Sequence, residues 1–102
     1  MKKLIELWKV NCDNCEAVKP ILTELEKEGY EFERHNITSP EGTRLISEYQ
    51  DKIIENNKKL GFDPEYLFTP TFLNPKSEEV LAFEGRAPTK EELINFAQTF
   101  IT

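Results

Sequence analysis

The sequence predicts an α/β domain over residues 1–102, with one mixed four-stranded sheet, helices on both faces and the order β-α-β-α-β-β-α. Three observations carry that prediction. The run Lys3-Leu4-Ile5-Glu6-Leu7-Trp8-Lys9-Val10 is apolar on both alternating faces, the pattern of a strand covered on two sides. Strand-like and helix-like periodicities then alternate, so the first two strands pair in parallel through a right-handed crossover. Near the end, two short apolar runs joined by Asn74-Pro75-Lys76-Ser77 form an antiparallel pair.

In the first strand, Leu4, Glu6, Trp8 and Val10 share one face, and Ile5 and Leu7 the other. Asn11 to Cys15 supply turn and N-cap residues. Ala17, Val18, Ile21, Leu22 and Leu25 follow at helical spacing, and Gly29 stops the helix. Pro20 lies inside it, where it removes one hydrogen bond and introduces a kink. Tyr30-Glu31-Phe32-Glu33-Arg34-His35-Asn36-Ile37 alternates as a second strand.

Ser39-Pro40-Glu41 opens a long second helix, with Ser39 as N-cap and Pro40 at its first position. Leu45, Ile46, Tyr49, Ile53 and Leu60 form its apolar stripe, and Gly61 ends it. Asp63-Pro64-Glu65-Tyr66 reads as one more helical turn. Strands at 69–73 and 79–83 follow. Thr89-Lys90-Glu91-Glu92 is a capping box, and Leu93, Phe96, Ala97 and Phe100 line a closing helix.

Composition narrows the function classes. The chain has 13 Lys+Arg against 19 Asp+Glu, for a formal charge of −6, which disfavours nucleic acid as a partner because phosphate binding needs a basic footprint. No apolar run has the length of a membrane span, and the start Met1-Lys2-Lys3-Leu4-Ile5-Glu6 lacks the apolar stretch of a signal peptide. A monomeric cytoplasmic protein is the expectation. Two cysteines are too few for a disulfide-built scaffold.

Those cysteines, Cys12 and Cys15, sit three apart where a strand gives way to a helix. A thiolate at a helix N-terminus gains from free backbone N–H groups and the positive end of the dipole. The spacing lets a second sulfur reach back over one turn and displace a mixed disulfide. Cys12 is then the attacking thiol and Cys15 the resolving one. A C-x-x-C pair also serves as half a zinc site, but four ligands are needed and the only histidine is His35. A metal reading therefore requires carboxylates or a second chain, and no metal is expected within one copy.

The segment Trp8 to Cys15, the internal Pro20 and Thr69-Pro70-Thr71 together resemble the thioredoxin superfamily over nearly the whole chain. The resemblance implies a thioredoxin fold and a redox-active Cys12–Cys15 disulfide with no other cofactor. It implies a cis-proline loop at Thr69-Pro70 that offers backbone groups to substrate. Trp8, Asp13, Asn14, Thr69 and Pro70 become the substrate-binding residues. The implied partners are a disulfide-containing protein and an electron-donating reductase.

The chain also departs from the family. Only eleven residues precede Cys12, as in glutaredoxins, while the region before Pro70 is enlarged by about fifteen to seventeen residues. Asp13-Asn14 is neither the Gly-Pro of thioredoxins nor the Pro-Tyr of glutaredoxins. Nothing after Pro70 resembles the segment with which glutaredoxins hold glutathione, so protein disulfides are the expected substrate over a glutathione-dependent activity.

Glu6 shares a face with Leu4 and Trp8, where an ionised, unpaired carboxylate is costly. Burial raises a carboxyl's pKa and suits it to proton transfer, and the resemblance assigns that position to the acid that serves the second cysteine. Arg34 is its expected counterion. Asp13 opposes the helix dipole at Cys12, which points to a reductant and not a strong oxidant. The alternative is a non-catalytic adaptor on the same fold, contacting a partner through residues 39–66, with Tyr49, Phe62, Tyr66 and Phe68 as anchors.

Overall fold

A computed structural model of the chain describes residues 2–98. Its strands are β1 (Lys2–Trp8), β2 (Tyr30–Asn36), β3 (Thr71–Asn74) and β4 (Glu79–Leu81). Its helices are α1 (Asp13–Lys27), α2 (Pro40–Glu48), α3 (Gln50–Leu60) and α4 (Lys90–Ala97). The sheet is mixed, in the order β2-β1-β3-β4. β1 runs parallel to β2 and antiparallel to β3, and β3 is antiparallel to β4.

The alternation in β1 divides the core between two faces. Leu4 packs with Phe72 of β3, with Val18, Leu22 and Leu25 of α1 and with Leu93 and Phe96 of α4. Ile5 and Leu7 face the opposite way, against Leu45, Tyr49 and Ile53, together with Leu73 and Val80. Helices therefore cover both sides of the sheet, and both faces of β1 are dry, as its continuous apolar run requires. Phe72 is fully buried, with its ring edge-on to Phe32 at 6.2 Å.

Several expectations are corrected. The long helix after Ser39 is two helices, because Tyr49 leaves helical geometry at φ −100°, ψ 11°. The chain keeps its hydrogen bonds there, from Tyr49 N–H to the Leu45 carbonyl (2.9 Å) and from Ile53 N–H to the Tyr49 carbonyl (2.9 Å). Burial of Leu45, Tyr49 and Ile53 against one sheet face outweighs the straight continuation that periodicity predicted. Residues 63–66 form a turn, not a helical turn: the Asp63 side chain accepts from Glu65 N–H at 2.9 Å.

β1 stops at Trp8, which leaves Val10 outside the sheet and 65% exposed. Ala17 is likewise exposed and takes no part in the stripe of α1. β3 begins only at Thr71, since Pro70 has no N–H for the ladder. β4 ends at Leu81, and the next carbonyl, that of Ala82, accepts from Asn56 Nδ2 of α3 at 3.2 Å.

The remaining caps follow the sequence. Ser39 accepts from Gly42 N–H at 3.0 Å, and the Thr89–Glu92 capping box is complete. Leu93, Phe96 and Ala97 are buried as expected, whereas Phe100 lies outside the described residues. Gly42 has a role that the sequence did not reveal. A Cβ there would sit 2.9 Å from the Asn36 carbonyl carbon and overlap its oxygen, so only glycine lets α2 pack on the end of β2.

Candidate functional site

The candidate site forms where β1 ends. The chain turns through Lys9 to Asn11, with Asn11 at φ 55°, a left-handed conformation that asparagine tolerates better than most residues. Cys12 is the N-cap of α1, in extended geometry (φ −120°, ψ 106°), and its Sγ accepts from Cys15 N–H at 3.1 Å. A sulfur thus does the capping that Ser or Asp performs elsewhere. Cys12 and Cys15 are joined as a disulfide, with Cα atoms 5.2 Å apart, and both are buried.

Residue 69 reaches the same sulfur from a different part of the chain. The Thr69 hydroxyl donates to Cys12 Sγ at 3.3 Å; a disulfide sulfur has no proton to give, so the hydroxyl is the donor. The Thr69 carbonyl oxygen lies 3.5 Å from that sulfur. The Thr69–Pro70 peptide bond is cis, and the Pro70 side chain is fully buried. The Thr71 hydroxyl donates to the Phe68 carbonyl and ties the loop to the start of β3.

Cys12, Asp13, Asn14 and Thr69 share an open groove of about 210 Å³ with Lys9, Asn11 and Tyr66. Four of the expected site residues therefore meet there. Trp8 and Pro70 do not line it. Trp8 is half-buried at the end of β1, with the Arg34 guanidinium 5.9 Å from its ring centroid. Sequence reasoning missed Lys9 and Asn11 as groove residues. It named Tyr66 only as a partner anchor, because the approach of residues 66–69 to Cys12 depends on long-range packing. Two roomier grooves, of about 410 and 520 Å³, lie beside α3 with neither cysteine in their linings, and the first of them shares Tyr66 with the Cys12 groove.

Glu6 is fully buried on the sheet face that carries α1, opposite Phe72 of β3 and Arg34 of β2 in the strand registers. Its Oε1 accepts from Arg34 Nε at 2.6 Å, while its Oε2 is buried without a hydrogen-bond partner among the described residues. Burial pushes its carboxyl above the usual carboxylate range; the hydrogen bond and charge of Arg34, and more weakly the charge of Lys19 on α1, act against that rise. The expected pairing of Glu6 with Arg34 is thus present.

His35 lies on the other face, where its Nε2 is 2.7 Å from Glu33 Oε2. That bond and one from Lys3 hold the Glu33 carboxyl below its ordinary value. Glu33, His35 and Glu41 bring ligand-type atoms within 4.8 Å of one another. Arg44 binds both Glu41 oxygens, at 2.9 and 2.5 Å, and neither cysteine belongs to the group.

Among the described residues, no helix is long and apolar enough to cross a membrane. No family model matches the chain, and no curated protein matches it.

Proposed function

We propose that this protein is a thioredoxin-fold thiol–disulfide oxidoreductase that reduces protein disulfides through Cys12 and Cys15. The observation that carries the proposal is the meeting at one sulfur. The disulfide-bonded Cys12 caps α1 and lies against Thr69 of the cis Thr69–Pro70 loop, beside an open groove. The α/β sheet order and the buried Glu6 agree with the same reading.

In the dithiol form, the Cys12 thiolate attacks one sulfur of the substrate disulfide. A Cys12–substrate disulfide forms, the substrate S–S bond breaks, and its second sulfur leaves as a thiolate that takes up a proton. Cys15 then loses its proton to Glu6 and attacks Cys12 Sγ. The Cys12–Cys15 bond forms, and the remaining substrate sulfur departs as a thiolate that takes up a proton from water while Glu6 releases the one it received. Two electrons have passed to the substrate, and the protein is left as the disulfide described above. A dithiol reductase, the second partner, returns two electrons to complete the cycle.

The groove supports a protein substrate. It is open and has Cys12 and Thr69 among its lining residues, which suits an extended chain more than an enclosed small molecule. The test is turnover of a protein disulfide, such as insulin, with an excess of dithiol. Cys12→Ser abolishes it, and Cys15→Ser accumulates mixed disulfides with the substrate. Retained turnover in the Cys12 variant sinks the assignment and leaves the adaptor reading.

A further inference from the structure

We propose that Tyr66 is a specificity-determining residue for exchange at Cys12, selecting disulfides that carry a large apolar side chain next to the attacked cysteine. The inference rests on the oxidoreductase reading and gives the enlarged segment before Pro70 a task within it.

Tyr66 is 51% exposed, yet it is not loosely held. Its ring packs on Phe68 at 4.7 Å between centroids, and Phe68 packs edge-on to Phe62 at 5.5 Å. Its backbone is fastened from below by Asn57 of α3, a residue only 1% exposed. The Asn57 amide donates to the Tyr66 carbonyl at 2.8 Å and to the Asp63 carbonyl at 3.0 Å, and the Asn57 carbonyl accepts from Phe62 N–H at 2.8 Å. A buried asparagine is costly unless both amide protons are used, and here both are spent on holding residues 62–66.

Tyr66, so held, lines the groove with Cys12 and Thr69 and also borders the groove of about 410 Å³ beside α3. The groove's charged residues are one of each sign, Lys9 and Asp13, so they select no net charge in a substrate. Tyr66 is the aromatic wall. Its apolar surface, left open to water in the free protein, is covered when a neighbouring side chain of the substrate lies against it. Since the loop is already ordered, little entropy is lost when it is covered. The contact acts through the residue beside the substrate cysteine, because the attacked sulfur itself must sit at Cys12 Sγ.

The experiment compares two disulfide-linked peptides that differ only in the residue next to the cysteine, Leu or Ser. The wild-type protein is expected to prefer the Leu peptide in kcat/KM by about fivefold, the scale of one apolar side-chain contact. Tyr66→Ala brings the ratio close to one, and Tyr66→Phe keeps it. A wild-type protein without preference, or a Tyr66→Ala variant that retains it, overturns the inference. Insulin, the protein disulfide on which the proposed function itself is tested, serves as the control. If the wild type fails to reduce even that probe, the oxidoreductase reading fails and the inference falls with it. If the probe is reduced and the peptides are not distinguished, only the inference is lost.

Discussion

Arg34→Met isolates the electrostatics of the buried acid. The substitution keeps an apolar stem of similar length and removes the guanidinium that donates to Glu6 Oε1 at 2.6 Å. Glu6 Oε2 already lacks a partner among the described residues, so the variant leaves a fully buried carboxyl with none among them. Breaking a buried ion pair costs about 3–5 kcal/mol when the remaining charge cannot escape. Two facts lower that figure. The Arg34 side chain is 37% exposed, so water screens its charge, and Glu6 can escape by binding a proton. At pH 7.5 a loss of about 2 kcal/mol is expected, which for a domain of this size lowers Tm by about 8–16 °C.

The sign of the pH dependence follows from Glu6. Its native carboxyl titrates above the ordinary value of 4.5, and both effects of Arg34 hold it down. Without Arg34 it rises further. The native state then binds a proton that the unfolded chain has released, so stability falls as pH rises from about 4.5 through the native value. The penalty of the substitution is therefore largest at pH 7.5 and smallest near pH 5. There only about 0.5–1 kcal/mol remains, from the lost contact with the Trp8 ring. Thermal unfolding of the oxidised protein at both pH values measures this, and adding Glu6→Gln to the variant removes the pH dependence. An equal loss at pH 5 and pH 7.5 would refute the reasoning.

Gly42→Ala is expected to destabilise the protein by about 1–3 kcal/mol in denaturant unfolding, because the new methyl overlaps the Asn36 carbonyl and α2 must move off β2. Thr69→Val removes the hydroxyl that donates to Cys12 Sγ. A sulfur accepts more strongly as a thiolate than in a disulfide, so the reduced form loses more, by about 1 kcal/mol, and the reduction potential falls by about 20 mV. Equilibration with a glutathione or dithiothreitol redox buffer reads that shift, and an unchanged or raised potential contradicts it.

Much of the site was legible because its signals are local. The N-cap position of Cys12, its spacing to Cys15 and the run of apolar residues around Glu6 each lie within a few residues, where periodicity and capping chemistry act. The Glu6–Arg34 pairing was expected from the face Arg34 shares with Tyr30 and Phe32 and from the family resemblance, whereas the register that sets the two residues opposite one another is a result of the fold. The cis bond at Thr69–Pro70 came from the family resemblance and not from any local physical signal.

The amino-acid sequence by itself determined the α/β class, the order of elements apart from the break within the second helix, the caps at Ser39 and Thr89, and the cysteine pair at a strand-to-helix junction. Tertiary structure alone decided the rest. It broke the second helix at Tyr49, because burying Leu45, Tyr49 and Ile53 on one sheet face outweighs a continuous helical repeat. It drew residues 62–66 onto Asn57 and so set Tyr66 beside Cys12, although the two are far apart in the chain. Hydrogen bonds and packing between distant residues exist only after the chain has closed on itself, and no local pattern announces them.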